Sequence, residues 1–153
     1  MTRRSLEDAI MFFETMPLDD WKTRDFIDYF YATQATYQNL PFLPSYNQQN
    51  RMIMGKLINL FGSLGTKQMI EGVFAFRDKI FYDDFLQKIG THLTIPKLIS
   101  VKLRPYFLEA MQLMKNLEAQ QTLPRWRRVP QTQWTPADWE AWRANIGGLH
   151  AKG

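Results

Sequence analysis

The stretch 47–76, NQQNRMIMGKLINLFGSLGTKQMIEGVFAF, constrains the fold of this chain more than any other, because it reads as two helices turning a corner inside a core. Ile53, Leu57, Leu60, Phe61 and Leu64 recur at helical spacing, which places them on one face that must be buried. Gly62 and Gly65 bracket Ser63 and Leu64 and predict a helix stop, since glycine enters left-handed backbone without a Cβ clash. Thr66 is the expected N-cap of the second helix. That helix is expected to bury Met69, Ile70, Val73, Phe74 and Phe76 and to leave Lys67, Gln68 and Glu71 in water. A DNA-reading helix-turn-helix would need polar side chains along the outer face of the second helix. This one is too apolar, so the stretch reads as a packing hub.

The flanks are helical too. Ser5 followed by Glu7 and Asp8 predicts a capped first helix with Leu6, Ile10, Phe13 and Met16 inward, ended by Pro17. Asp19 or Asp20 is the expected cap of the next helix, which carries Trp21, Phe26, Tyr29, Phe30 and Tyr37 on its apolar side and Asp25, Asp28 and Gln34 on its wet side. The two prolines of NLPFLPSYN make 39–47 a loop, with Phe42, Leu43 and Tyr46 covering the end of the core. Asp83-Asp84 marks a break before a short helix holding Phe85, Leu86 and Ile89, which Gly90 ends. Pro96 opens another helix with Leu98, Ile99 and Val101 as its apolar content. Pro105 kinks that helix or starts a new one, in which Leu108, Met111, Leu113 or Met114, and Leu117 point inward.

The fold class that follows is all-α, a compact multi-helix bundle of about six to seven helices spanning 1–120, with a Pro/Trp/Arg-rich segment at 121–153. That segment holds four of the five tryptophans. Thr135 as N-cap, Pro136 at the first helical position and Asp138 one turn in start a short helix at about 136–146, stopped by Gly147-Gly148. Trp139, Trp142 and Ile146 share one face. A helix this short needs a surface to dock on, either the chain's own core or a partner.

Charge sharpens the division. Residues 1–30 carry four basic and seven acidic side chains, a net −3, whereas 124–153 carry five and two, a net +3. An anionic partner for the rear is the expectation. No stretch approaches the roughly 18 apolar residues of a membrane span, and Glu7, Asp8 and Glu14 interrupt the only signal-peptide-like run. The absence of cysteine excludes disulfides and thiolate chemistry and suits a reducing cytoplasm.

Catalytic patterns are missing. His92 and His150 stand in no metal-binding spacing, and adjacent Asp19-Asp20 and Asp83-Asp84 read as helix caps, so neither a metal nor another cofactor is expected. GSLGTK at 62–67 has the wrong spacing for a phosphate loop and no strand before it. A non-enzyme is the reading. The positive signal is Arg125-Trp126-Arg127-Arg128, guanidinium groups around an indole, which suits phosphate neutralisation and base stacking; Lys102 and Arg104, with Lys97, extend the basic surface. Against this stands a solvated linker whose Trp126 packs on the core. Trp134, Trp139 and Trp142 either dock on the chain itself or form a partner interface.

From Trp21 to Ser100 the order of features, DDWKTRDFIDYFYATQATYQ, a polar loop, NRMIMGKLINLFGSLGTKQMIEGVFAF and then TIPKLIS, resembles bacteriophage and mobile-element replication accessory proteins of the helicase-loader or replisome-organiser kind. The resemblance implies a helical adaptor that contacts a replicative helicase or another replication protein, and single-stranded DNA. The alternative is a phage-encoded regulator that inhibits a host machine, RNA polymerase or a defence nuclease, by occlusion. Neither reading fixes an oligomeric state.

Overall fold

Why α2 lies at the heart of the first helical unit is written in its small and aromatic residues. In the computed structural model, which describes residues 3–122 and 125–151 and the side chains of all but 122, 128 and 145–151 of these, α2 (Thr23–Gln38) buries Phe26, Ile27, Phe30, Ala32 and Ala35. It packs chiefly against α3 (Gln48–Ala75). The described residues form eight α-helices with short 3₁₀ turns between them and no strand. The chain divides into two compact units, Met1–Lys115 and Asn116–Gly153.

In the first unit α1 (Leu6–Thr15) starts as expected, the Ser5 hydroxyl accepting the Asp8 N–H at 3.1 Å. Its inward face differs. Ala9 is buried and Phe12 and Phe13 are half-buried, while Ile10 and Met16 are exposed, because the helix lies its Phe12–Phe13 edge over Trp21 rather than presenting Ile10 to the core. The Phe13 and Trp21 rings lie 5.0 Å apart, and the indole donates to the Met16 carbonyl at 3.1 Å. Asp19 and Asp20 lie in a 3₁₀ turn (Leu18–Asp20) and cap nothing; Lys22 is the N-cap of α2, and Asp25 accepts its backbone N–H at 2.7 Å.

The central stretch is two helical arms, as the sequence predicts, with the corner at Gly62 alone (φ 74°, ψ 174°). Such backbone is open essentially to glycine only. Because the second arm restarts at Ser63, Gly65 and Thr66 lie inside it; Thr66 is no cap but a buried residue whose hydroxyl donates back to the Gly62 carbonyl at 2.7 Å. The second arm buries Met69, Ile70, Val73 and Phe74, and Gln68 with them. Gly72 lets α6 approach, since a Cβ there would run into the Ala110 backbone. The sequence reading of one buried face is corrected: Ile53, Met54 and Leu57 of the first arm are buried, but Leu60 near its end and Leu64 past the corner are exposed. Once Gly62 turns the chain, the two arms no longer share one apolar face.

The rest closes the core from one side. α4 (Arg77–Ile80) and α5 (Asp84–Thr91) deliver Ile80, Phe81 and Leu86 inward, while Phe85 is exposed; Asp83 caps α5 by accepting the Leu86 N–H at 2.7 Å. A 3₁₀ turn (Ile95–Ile99) replaces the helix expected after Pro96, burying Ile95 and Leu98 and leaving Val101 in water. Pro105 sits in the first turn of α6 (Arg104–Thr122), so it starts a helix rather than kinking one. Phe107, Ala110 and Met114 are the buried residues of α6; Leu108 and Leu117 are exposed, one helical step off the face the spacing suggested. Two glutamines of α2 clamp this side, Gln34 donating to the Leu93 carbonyl at 3.0 Å and Gln38 to that of Gly90 at 2.9 Å. Tyr37 and Leu43 are exposed.

The expectation most plainly overturned is that Asp25 and Asp28 face water. Asp28 is fully buried and Asp25 nearly so, because the chain ahead of α1 and the 39–47 loop bring them partners. Arg4 donates to Asp28 through Nε at 3.0 Å and to Asp25 at 2.7 Å, lies 4.4 Å from the Phe12 ring centre, and leaves the second Asp28 oxygen to accept the Tyr46 hydroxyl. A buried carboxylate survives in such a place only when paired and hydrogen-bonded.

Candidate functional site

In the second unit proline and tryptophan do the work that leucine does in the first. α7 (Arg125–Arg128), a 3₁₀ turn (Gln131–Gln133) and α8 (Pro136–Ala151) are separated by Pro130 and by Trp134-Thr135, so the chain doubles back on itself within a few residues. The start of α8 is the predicted one. The Thr135 hydroxyl accepts the Asp138 N–H at 3.4 Å, and Asp138 accepts the Thr135 backbone N–H at 2.8 Å, a reciprocal cap. Its end is not: α8 runs through Gly147 and Gly148 to Ala151. Glycine permits a left-handed stop but does not impose one, and among the described glycines only Gly62 has positive φ.

Four indoles gather on this frame. Trp134 is the centre, 4.7 Å from Trp139 and 6.1 Å from Trp142, with Trp126 at 6.4 Å on its other side, mostly in edge-to-face geometry. Its Nε1 donates to the Val129 carbonyl at 3.3 Å. Each of the four remains half-buried, so the cluster is at once a small core and an aromatic surface. The three guanidinium groups of 125–128 are not equivalent. Arg125 pairs with Asp138, whose carboxyl is held below the ordinary aspartate range first by the Thr135 backbone N–H and then by Arg125. Arg127 is exposed and lies 5.3 Å from the Trp126 ring centre. The Arg128 side chain and that of Ile146 lie outside the described residues.

No family model, curated protein or solved structure matches this chain. The functional reading therefore rests on geometry.

That geometry brings together Arg125, Trp126, Arg127, Trp134, Trp139 and Trp142 in one unit. Lys102 and Arg104 belong to the other, exposed where α6 begins. Asp138 was visible in the sequence as a helix-start residue, but its pairing with Arg125 was not; the signal lies in an arginine ahead of a Thr-Pro-Ala-Asp cap, with a proline turn between them. Among the described residues no group of three or more His, Asp or Glu could hold a metal ion, and no helix is long and apolar enough to cross a membrane. A shallow cavity of about 230 Å³ in the first unit is lined by Ile10, Phe13, Tyr37 and the carboxylate-bearing Glu14 and Glu71. Glu71 accepts the Tyr29 hydroxyl there at 3.0 Å.

Proposed function

We propose that this chain is a non-enzymatic accessory protein of DNA replication, of phage or mobile-element type and cytoplasmic, whose C-terminal unit contacts single-stranded DNA while the chain engages a replicative helicase or other replication protein. The observation that carries the reading is the Trp126–Arg127 pair. An indole with an exposed guanidinium over its ring offers an unpaired base a stacking surface and its phosphate a cation in one step. Trp134 packs edge-to-face on Trp126 at 6.4 Å, which removes part of the ordering cost of binding. The resemblance of 21–100 to replication accessory proteins supplies the partner class.

Titration of tryptophan fluorescence with an oligothymidylate tests it. Binding is expected at low salt, with an affinity that falls as salt rises, since each phosphate neutralised contributes about −0.7 to the slope of log K against log salt for single strands. Absence of binding at low salt overturns the DNA contact. A second reading, occlusion of a host RNA polymerase or defence nuclease, draws on the half-buried edges of Trp139 and Trp142, the residue type that anchors protein interfaces. It requires one dominant host protein that co-purifies and survives nuclease treatment.

A further inference from the structure

The first arm of α3 carries apolar side chains beyond those that enter the core. Ile53, Met54 and Leu57 enter the core, whereas Met52 and Leu60 are 55% and 66% exposed. Gln48, Met52, Lys56 and Leu60 follow one another at four-residue steps, a stripe of about 18 Å at helical rise. Beside it Ile99 closes a groove of about 470 Å³ lined by Gln48, Gln49, Met52, Ile53, Lys56 and Ile99.

Charge identifies the occupant. No aspartate or glutamate stands between Tyr29 and Ile70, nor between Phe85 and Leu108, and these two segments build the groove. Of the cations in these segments Lys56 lines the groove itself, beside Met52, Ile53 and Ile99, and neither segment supplies a carboxylate to offset it. We infer that it receives an acid-bearing amphipathic helix of a partner protein, its apolar residues on Met52, Leu60 and Ile99 and a carboxylate on Lys56. Met52 suits such a seat because its flexible thioether adapts to the shape it meets. A second copy of the chain fits badly: an antiparallel two-fold pairing of the stripe would set Lys56, midway between Met52 and Leu60, against its own symmetry mate with no acid near. A nucleic acid would pair with Lys56 but leave the methyl groups of the floor uncovered. This inference is independent of the reading of the tryptophan unit.

The test uses the full chain and a synthetic amphipathic peptide of about 16 residues, matched to the stripe at about 1.5 Å per residue, with leucine on one face and glutamate flanking it. A version with lysine for glutamate is the control. Expected are NMR shifts at Met52, Lys56, Leu60 and Ile99 with the glutamate peptide, binding at least about tenfold weaker with the lysine peptide, and reversal of that preference in Lys56→Glu. Leu60→Ser should weaken binding while leaving the melting curve in place, since Leu60 is exposed. Trp126→Ala should leave it unchanged. Equal binding of both peptides, shifts confined to other residues or absent, shifts of these same residues by an oligonucleotide, or a dimer dispersed by Leu60→Asp would each overturn the inference.

Discussion

Both units of this protein hold an aspartate in the first two turns of a helix against an arginine, and they use the pair to opposite ends. Around Asp28 the carboxylate is fully shielded and the Arg4 side chain is 20% exposed; around Asp138 the carboxylate is 7% exposed but Arg125 is 46% exposed. The first pair is locked into a network with Asp25 and Tyr46 that ties the chain ahead of α1 and the 39–47 loop to α2. The second leaves its cation in water beside Trp126 and Arg127. A salt bridge closed on both sides is architecture; one closed on the acid side only orders a surface without hiding it.

Cutting the closed pair gives the largest effect. Asp28→Ala takes the acceptor from the Tyr46 hydroxyl and leaves Arg4 with Asp25 alone, and should cost about 3–5 kcal/mol, a fall of about 10 °C or more in Tm by calorimetry. Replacing both partners, Asp28→Leu with Arg4→Met, should recover most of that loss; if the double variant is no better than the single, the network does more than satisfy itself. Asp25→Ala, which removes a helix-start acceptor and one Arg4 contact, should cost about 1–2 kcal/mol in denaturant titration.

The open pair is expected to respond to acid. Since the folded pKa of Asp138 lies below its ordinary 3.8, its stabilisation is complete above that value and is lost as pH falls through the folded one. Tryptophan emission of the second unit should therefore change only at pH below about 3.8, and Asp138→Asn should remove that step. The smallest stability effect belongs to Trp126→Ala or Arg127→Ala, at the edge of the cluster. In binding the order inverts: Trp126→Ala should lose about 1–3 kcal/mol of single-stranded DNA affinity, and Arg127→Ala should lower the salt slope by about 0.7. Loss of fold without loss of binding in these variants would break the comparison.

How far the candidate site was legible follows from the same contrast. The tryptophan–arginine segment stood out because its parts are neighbours in sequence, and the Thr135–Asp138 cap is local chemistry that the residues spell out directly. Arg125 as partner of Asp138 was not legible, since the turn that joins them is made by Pro130 and by the packing of Trp134. Nor was the groove on α3: Leu60 and Leu64 carry the same hydrophobic signature as Leu57, and nothing in their spacing says which of them a neighbour will cover.

The sequence by itself determined the all-helical class, the caps at Ser5, Asp83 and Thr135 and the break at Gly62. Each of these depends on interactions within about one helical turn, where side-chain chemistry acts on adjacent backbone. Tertiary structure alone decided which faces are wet. Asp25, Asp28 and Gln68 went inside and Leu60, Leu64, Phe85 and Val101 stayed outside. Burial is a property of what arrives from elsewhere in the chain: Arg4 and Tyr46 make two carboxylates tolerable in a core, while Leu60 and Leu64, of the same pattern as Leu57, meet no neighbour that covers them.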